Sequence, residues 1–392
     1  MRSISDTIRR LEALRAAQGH KPGAEVPSRL TPLTGFGSNP GALKAWSFVP
    51  STLRNGAPLV VVLHGCTQTA AGYDHGSGWS HLAEEQGFAV LFPEQTRANN
   101  ANGCFNWFSP EDIRRDGGEA SSIRQMVARM LAEHRSIDPA RVFVTGLSAG
   151  GAMASVMLAT YPDVFAGGAI IAGLPYGTAA SVPEAFDRMR AQGGPTTPTA
   201  LERLVRAASP HKGPWPTVSI WHGSADHTVV PANADAIVAQ WRGLHGLGAA
   251  PSRTETVDGQ TRRVWSDGTG RDVIESYSIA GMGHGTPLDP AGAATGEVAG
   301  AYMLDVGISS TRRIAAFWGI ASAAPAGERV QPQRAVPTPT PSARIERAAE
   351  DADFRPWPKA AETPRPDKHA SGRAAAIGKV IEDALRSAGL MR

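Results

Sequence analysis

The chain has 392 residues, of which 19% are charged, 42% hydrophobic and 6% aromatic, a composition typical of a folded globular protein. Its formal net charge is only +3, from 39 basic and 36 acidic side chains without a long basic block, which argues against nucleic acid as a partner. Its apolar runs are far shorter than the roughly 20 residues of a membrane-spanning helix, so no transmembrane segment is expected.

The first residues predict a short amphipathic helix, because Ile4, Ile8, Leu11 and Leu14 recur at helical spacing. Charged residues occur throughout this stretch, and the apolar core of a secretory signal is not visible. We assign residues 1–39 to this helix and a lead-in. The sequence alone leaves the compartment of the protein open.

Between residues 40 and 320, apolar segments that predict strands alternate with helical patterns. The predicted strands are PLVVVLHG (58–65), FAVLFPE (88–94), RVFVTGLS (141–148), GGAIIAG (167–173), TVSIWHGS (217–224) and VIESYSI (273–279). The predicted helices span 78–86, 120–134, 149–161 and 234–244. This alternation favours an α/β fold, with a mostly parallel central sheet and helices on both faces.

Two regions depart from that alternation. Residues 183–208 predict a small helical cap over the carboxyl ends of the strands, where ligands bind in such sheets. Beyond residue 320 the chain becomes rich in proline and alanine, and AVPTPTPSARI predicts an extended linker. Helical spacing returns between Ile377 and Leu385. We therefore divide the chain into a main domain of residues 40–320 and a tail of residues 321–392 that ends in a short helix.

The pentapeptide Gly146-Leu147-Ser148-Ala149-Gly150 lies between a predicted strand and a predicted helix. A G-x-S-x-G sequence in that context forms a tight turn that exposes the serine hydroxyl above the sheet. Without flanking elements, the same pentapeptide would more simply be a turn that needs small residues. The strand before it and the helix after it favour Ser148 as a nucleophile.

A serine hydroxyl needs a base to remove its proton and a carboxylate to orient that base. His284 follows the last predicted strand in AGMGHG, and Asp226 follows TVSIW in HGSAD, which gives the chain order Ser, Asp, His. A solvent-exposed loop histidine and a turn aspartate are the structural alternatives. The other carboxylates considered are Asp235, Asp258, Asp267 and Asp272. We expect His222 and His227 to pack or cap rather than to catalyse.

The tetrahedral intermediate of acyl transfer needs two hydrogen-bond donors for its oxyanion. The backbone N–H of Ala149, directly after the serine, is one candidate. The N–H of Cys66, in the loop after LVVVL, is the other, because Gly65 lets the backbone approach closely there.

We find no cluster of His, Cys, Asp and Glu at metal-ligand spacing, so neither a metal nor a cofactor is expected.

Taken together, these segments resemble the poly(3-hydroxybutyrate) depolymerase family of esterases, α/β-hydrolases related to feruloyl and acetylxylan esterases. The resemblance covers roughly residues 40–320 and rests on LVVVLHGCTQTAAGY, FPEQTRANNANGCFNWF, VFVTGLSAGGAMASVMLATYPDVFAGGAIIAGLPYG, WHGSAD and GMGHG, in that order. It implies Ser148, Asp226 and His284 as a catalytic triad, with Cys66 and Ala149 at the oxyanion hole. The implied activity is hydrolysis of poly- or oligo(3-hydroxybutyrate)-like esters through an acyl-enzyme.

Other functions stay open alongside this one. A feruloyl, acetylxylan or general short-chain aryl esterase would use the same groups, as would a serine peptidase of the same fold. A non-catalytic granule-binding protein is a further alternative.

Export of many family members implies an extracellular location, whereas the lack of a visible signal peptide keeps the cytoplasm open. The oligomeric state is not indicated.

The resemblance also directs attention to the loop of residues 99–108. Trp107 and Phe108, together with Tyr176, are candidates for an apolar wall that contacts the acyl part of an ester, although partly buried core residues would look the same.

The two cysteines of the chain, Cys66 and Cys104, could form a disulfide or remain thiols. Both lie near the expected site, which favours a disulfide between the two loops.

Overall fold

The computed structural model of the chain describes residues 28–292 and 295–322. The predicted helix near the amino terminus, the predicted linker and the predicted carboxyl-terminal helix lie outside the described residues. Within the described ranges, none of the helices combines the length and the apolar character that crossing a membrane requires.

Twelve strands are present in the described part of the chain. They are β1 (Thr31–Pro32), β2 (Lys44–Phe48), β3 (Ala57–Leu63), β4 (Ala89–Glu94), β5 (Ile137–Leu147), β6 (Gly167–Ile171), β7 (Thr217–Gly223), β8 (Arg253–Val257), β9 (Gln260–Ser266), β10 (Asp272–Ile279), β11 (Thr286–Leu288) and β12 (Met303–Asp305). All six predicted strands are confirmed. The largest difference is at β5, which begins four residues before the predicted start.

Ten of these strands form one sheet in the order β1-β2-β4-β3-β5-β6-β7-β10-β9-β8, and β11 pairs with β12 in a small second sheet. The six strands from β4 to β10 in this order run parallel to one another, whereas the pairs at both edges are antiparallel. Because parallel strands end at the same edge, the loops that follow β3, β5, β7 and β10 meet there. The predicted mostly parallel sheet is confirmed.

The helices in the described ranges, listed in chain order, cover both faces of this sheet. They are α1 (Ala70–Ser77), α2 (Trp79–Gln86), α3 (Gly118–Glu133), α4 (Ala149–Thr160), α5 (Val182–Met189), α6 (Pro198–Ala208), α7 (Ala232–Leu244) and α8 (Ser310–Phe317). Successive residues of β3 point to opposite faces. Val61 belongs to the core under α3, α4 and α7, whereas Val60 and Val62 belong to the core under α2 and α8. This two-sided burial explains why β3 is apolar throughout.

The predicted insertion at residues 183–208 is helical, since α5 and α6 occupy it. Helix α6 packs on α7 and α4, and the Leu201 carbonyl accepts a hydrogen bond from the Gln240 side chain at 3.1 Å. The Met189 carbonyl at the end of α5 accepts from the Val230 N–H at 2.9 Å. The insertion thus adjoins the loop that follows β7. Its role as a cap over the strand ends stays a prediction.

Candidate active site

Ser148 lies at the turn where β5 ends and α4 begins, with backbone angles φ 56° and ψ −117°. A positive φ is unfavourable for a residue with a side chain, and strain of this kind costs about 1–3 kcal/mol. The glycines on either side are required by close contacts. A Cβ on Gly146 would lie 2.4 Å from the Gly150 backbone, and a Cβ on Gly150 would lie 2.3 Å from the Leu63 carbonyl oxygen. The G-x-S-x-G sequence therefore fits a turn packed directly against β3.

The structure brings Ser148, His284 and Asp226 together in one hydrogen-bonded chain. The Ser148 Oγ lies 2.8 Å from the His284 Nε2, and the His284 Nδ1 lies 2.7 Å from the Asp226 Oδ2. Since the ionised carboxylate can only accept, the Nδ1 atom of His284 donates and its Nε2 is left to accept from the serine. That proton arrangement is the one that lets an imidazole act as a base toward a hydroxyl.

The Asp226 carboxylate is fully buried and surrounded by donors. Its Oδ1 accepts from the backbone N–H groups of Thr228 at 2.9 Å and Val229 at 3.0 Å. Its Oδ2 also lies 3.4 Å from the His222 Nε2. Burial alone would raise the pKa of Asp226, but the interactions with His222 and His284 hold that pKa far below its ordinary value. The carboxylate is therefore ionised in the folded protein.

His222 has a closer role at this site than the sequence suggests. It is buried, and its Nε2 lies 2.7 Å from the Val229 carbonyl oxygen as well as near Asp226. The prediction that it packs rather than catalyses is compatible with these contacts. Its contact with Asp226 was not foreseen, although the four-residue spacing of the two in HGSAD was a visible signal.

The loop that carries His284 is fixed against the loop that carries Asp226. The Ala225 N–H donates to the Met282 carbonyl at 2.9 Å, and a Cβ on Gly223 would lie 2.2 Å from that same oxygen. On the other side of His284, the ring of Tyr302 lies 6.2 Å away in an edge-on orientation. These contacts hold the loop of His284 against the loop of Asp226, so that the His284 Nδ1 stays within hydrogen-bond distance of the carboxylate.

The two predicted oxyanion donors, Cys66 and Ala149, follow β3 and β5 at the same edge of the sheet. Ala149 begins α4, so its N–H is one of the groups that a helix leaves without an internal partner. Neighbouring amides are occupied, since the Ser148 N–H donates to Ile171 at 2.9 Å and the Thr67 N–H donates to Asn102 at 2.8 Å. Among the described residues, none accepts a hydrogen bond from the N–H of Cys66 or Ala149. Both donors are thus available to a ligand.

The predicted disulfide between Cys66 and Cys104 is confirmed, with the two Cα atoms 4.3 Å apart. It joins the loop after β3 to the loop of residues 99–108. The hydrogen bond from Thr67 to Asn102 runs between the same two loops. The second loop is therefore held beside the Cys66 peptide by one covalent and one hydrogen bond.

The three aromatic residues predicted to contact substrate pack in or against the hydrophobic core. Trp107 is 7% exposed, and the Phe108 ring packs on it edge-on at 5.6 Å. The Tyr176 hydroxyl donates to the Ile113 carbonyl at 3.3 Å. Trp107 thus belongs to the hydrophobic core, while Phe108 and Tyr176 are partly buried against it. Contact of the three with a substrate stays a prediction.

The alternative carboxylates lie elsewhere. Asp235, Asp258 and Asp272 pair with Arg263, Arg313 and Arg253, respectively, and Asp267 accepts hydrogen bonds from Thr269 in a turn. In the described part of the chain, no three His, Cys, Asp or Glu side chains are grouped so that they could hold a metal ion.

A serine at a strand–helix turn, followed by an aspartate and a histidine after later strands of a parallel sheet, defines an α/β-hydrolase. Residues 44–264 match the family model for esterase PHB depolymerases. The chain is 52% identical over 293 residues to the poly(3-hydroxyalkanoate) depolymerase C of Paucimonas lemoignei, covering 74% of this chain and 70% of the relative. The chain therefore belongs to the PHB depolymerase esterase family, and it is a carboxylic-ester hydrolase.

Relatives named for other ester substrates share the fold and about one-third of the aligned residues. An acetylxylan esterase from Coprinopsis cinerea is 32% identical over 274 residues, which cover 68% of this chain and 72% of that protein. A solved acetyl xylan esterase from Aspergillus awamori superposes with a TM-score of 0.62 at 27% identity, covering 74% of this chain and 99% of its own. The recognised family is thus confirmed together with its relation to xylan esterases.

Proposed function

We propose that this protein hydrolyses esters of short 3-hydroxyalkanoates, as polymer or oligomers, through an acyl-enzyme on Ser148. The observation that carries the proposal is the continuous hydrogen-bonded chain from Ser148 through His284 to Asp226. The choice of substrate is supported by the relative from Paucimonas lemoignei, which is a poly(3-hydroxyalkanoate) depolymerase. Feruloyl or acetylxylan esters are the second candidates, because relatives with those names are about one-third identical.

In the proposed first step, the Ser148 Oγ attacks the ester carbonyl carbon while its proton moves to the His284 Nε2. The carbonyl oxygen becomes an oxyanion that accepts hydrogen bonds from the N–H groups of Cys66 and Ala149. His284 then gives the proton to the leaving alcohol oxygen as the ester C–O bond breaks. Asp226, being ionised, stabilises the imidazolium that exists between these two transfers.

In the second step, His284 removes a proton from a water molecule, whose oxygen attacks the acyl carbon. The same two amides stabilise the second oxyanion. Breaking the bond to the Ser148 Oγ returns the proton from His284 to the serine and releases the carboxylic acid. Neither step needs a metal ion or a redox partner.

The acyl part of the substrate is proposed to lie against Trp107, Phe108 and Tyr176. The support is positional, since the loop that carries the first two is joined by the disulfide to the loop that carries the Cys66 amide. An apolar wall beside the oxyanion donors would suit a short aliphatic acyl chain. Replacing Trp107 by alanine should therefore change the ratio of the KM values measured for esters with short and with longer acyl chains.

We also propose an oxidising, extracellular compartment for this protein. The Cys66–Cys104 disulfide supports it, because structural disulfides persist mainly outside the reducing cytoplasm.

Hydrolysis of p-nitrophenyl butyrate by the wild type and by Ser148→Ala tests the mechanism. We expect the wild type to release nitrophenol and the variant to be inactive. Ser155→Ala is the matched control, since Ser155 lies on the same helix α4 and its buried hydroxyl donates to the Leu174 carbonyl at 2.8 Å. Equal activity of Ser148→Ala and the wild type would overturn the proposal.

A substrate panel tests the choice of ester. Polymer film, hydroxybutyrate oligomers, feruloyl esters and acetylxylan are compared by kcat/KM for the soluble substrates and by initial rate for the solids. The highest values are expected for the hydroxybutyrate oligomers or the film. A clear preference for acetylxylan or feruloyl esters would overturn the substrate while leaving the serine mechanism in place.

A further inference from the structure

A buried carboxyl group that the proposed mechanism does not use contacts the loop of residues 99–108. Glu119, at the start of α3, is completely inaccessible to solvent. Its Oε1 accepts from the side-chain amides of Gln95 at 2.5 Å and Asn99 at 3.2 Å, and its Oε2 accepts from the Asn106 N–H at 2.8 Å. All three partners are donors. Asn99 and Asn106 lie in the loop of residues 99–108, and Gln95 lies shortly before it.

Gln95 extends this set of bonds toward β3. Its side-chain amide also donates to the Cys104 carbonyl at 3.0 Å, and its own backbone N–H donates to the His64 Nε2 at 3.1 Å. Because that Nε2 accepts, the proton of the neutral His64 ring is on Nδ1. Burial lowers the pKa of His64, which favours this neutral form.

The His64 ring then fixes one peptide unit. Its Nδ1 donates to the Gly65 carbonyl oxygen at 2.8 Å. The Gly65 carbonyl and the Cys66 N–H belong to the same planar trans peptide, so they point in opposite directions. Holding the carbonyl oxygen on one side therefore sets the direction of the Cys66 N–H on the other.

We propose that Glu119 is a positioning residue for the oxyanion hole, which it holds by clamping Gln95 and, through His64, the peptide between Gly65 and Cys66. The inference rests on the proposed function, since it assigns the Cys66 N–H to the oxyanion. In this inference the Glu119 carboxyl acts only on the protein groups that it bonds, Gln95, Asn99 and Asn106. Glu119 itself does not touch the substrate.

Glu119→Gln is the direct test, measured with p-nitrophenyl butyrate. The substitution keeps size and shape, but it replaces one carboxyl oxygen, which can accept whether or not it is protonated, by an NH₂ group that cannot accept. Loss of a complete oxyanion donor costs about 10²–10³ in kcat, so a misdirected donor should cost roughly 10–100-fold. KM should change by less than about twofold, because the oxyanion forms only in the transition state.

A trifluoromethyl ketone with a butyl chain separates positioning from general damage. Addition of the Ser148 hydroxyl to this ketone gives a tetrahedral adduct whose oxyanion needs the same donors. In Glu119→Gln, the inhibition constant should rise by the same factor as kcat/KM falls. A fall in kcat with unchanged affinity for the ketone would overturn the inference, as would a folded variant with wild-type kcat.

Glu275→Gln is the matched control, because Glu275 is similarly buried at 1% exposure but bonds to Ser219 on β7 and Arg262 on β9 rather than to the loop of residues 99–108. We expect it to keep wild-type kcat and ketone affinity, and an equal loss in both variants would overturn the inference. If Glu119→Gln does not fold, Gln95→Met breaks the same clamp and must give the same two shifts. Wild-type turnover and its loss in Ser148→Ala are measured first, so failure of the proposed function is distinguished from failure of this inference.

Discussion

Two buried carboxyl groups, Asp226 and Glu119, lie in different environments, and these environments shift their pKa values in opposite directions. Asp226 is 1% exposed and Glu119 is 0% exposed, so burial does not distinguish them. Burial raises the pKa of Glu119 to about 8, aided by the nearby Asp112 and opposed by the amides that donate to it. At Asp226 burial acts in the same direction, but the interactions with His222, His284 and the backbone outweigh it.

The difference lies in the chemistry of the partners. Asp226 faces two imidazole rings and two backbone N–H groups, whereas Glu119 faces one backbone N–H and two neutral side-chain amides. Imidazoles can carry positive charge and therefore stabilise a carboxylate more strongly than amides do. In the proposed mechanism, the carboxyl group that balances an imidazolium is the ionised one, whereas the carboxyl group proposed to hold neighbouring amides in place need not be ionised.

The largest expected effect is that of Asp226→Asn. We expect kcat for p-nitrophenyl butyrate to fall about 10⁴-fold, because an amide that donates to His284 Nδ1 favours the wrong tautomer. Steady-state kinetics at neutral pH measures it. Asp235→Asn is the control, since Asp235 is an exposed partner of Arg263. Full activity in Asp226→Asn would show that the orienting carboxylate is a different one.

The disulfide gives the second largest effect, and it acts on the side of the molecule where Glu119 lies. The two cysteines are 38 positions apart, so the double variant Cys66→Ser, Cys104→Ser should lose about 3–4 kcal/mol of unfolding free energy in the chain-entropy model. Urea unfolding of the variant and of the oxidised wild type measures the loss. Activity should persist, because only the backbone of Cys66 is proposed to act. Equal stability of the two proteins would refute this expectation.

The opposite pKa directions predict opposite pH dependences of stability. Glu119 has a folded pKa above its unfolded value of about 4.3, so the native state retains a proton that the unfolded chain has lost. Its contribution to stability therefore declines as the pH rises from about 4.3 to 8, by up to about 1.4 kcal/mol per pH unit. Asp226 has a folded pKa below its unfolded value of about 3.9, so its contribution is present above that pH and is lost on further acidification.

Unfolding free energies of the wild type, Glu119→Gln and Asp226→Asn between pH 3 and 8 measure both trends. The advantage of the wild type over Glu119→Gln should shrink from pH 5 to 8. Its advantage over Asp226→Asn should instead shrink as the pH falls below about 4, given the reference pKa of aspartate. Profiles that stay parallel to the wild type would remove the distinction between the two carboxyl groups.

The smallest expected effect is that of metal removal. The proposed mechanism draws its nucleophile, base and electrostatic stabilisation from the chain itself. Dialysis against a chelator should leave the rate of p-nitrophenyl butyrate hydrolysis unchanged. A loss that zinc or calcium specifically restores would contradict the mechanism.

The sequence predicted the parts of this site that depend on local pattern and chain order. Strand–turn–helix context located Ser148, and the order of strands located Asp226 and His284, because parallel strands deliver their following loops to one edge. The same reasoning did not find Glu119. Its partners come from positions up to 24 residues away, and Gln95 reaches His64 across 31 residues. Contacts that depend on how loops pack have no fixed spacing in a sequence.

The aromatic residues show the same limit from the other direction. A loop containing Trp107 and Phe108 is compatible with both a binding wall and a core, and the structure shows one as 7% exposed with the other packed on it. Apolar character is a shared property of pockets and cores, so the sequence could not separate them. His222 was similarly visible as a residue beside Asp226, while its contact with the carboxylate depended on the turn between them.

The central claim is that Ser148 is a nucleophile activated by His284 and Asp226, and covalent labelling tests it most directly. The wild type is treated with a p-nitrophenyl alkylphosphonate, and the intact mass and peptide map are recorded. The expected result is one adduct per chain on Ser148, loss of activity in proportion to labelling, and no adduct in Ser148→Ala. Complete inactivation with the adduct on a different residue, or unchanged labelling in Ser148→Ala, would contradict it.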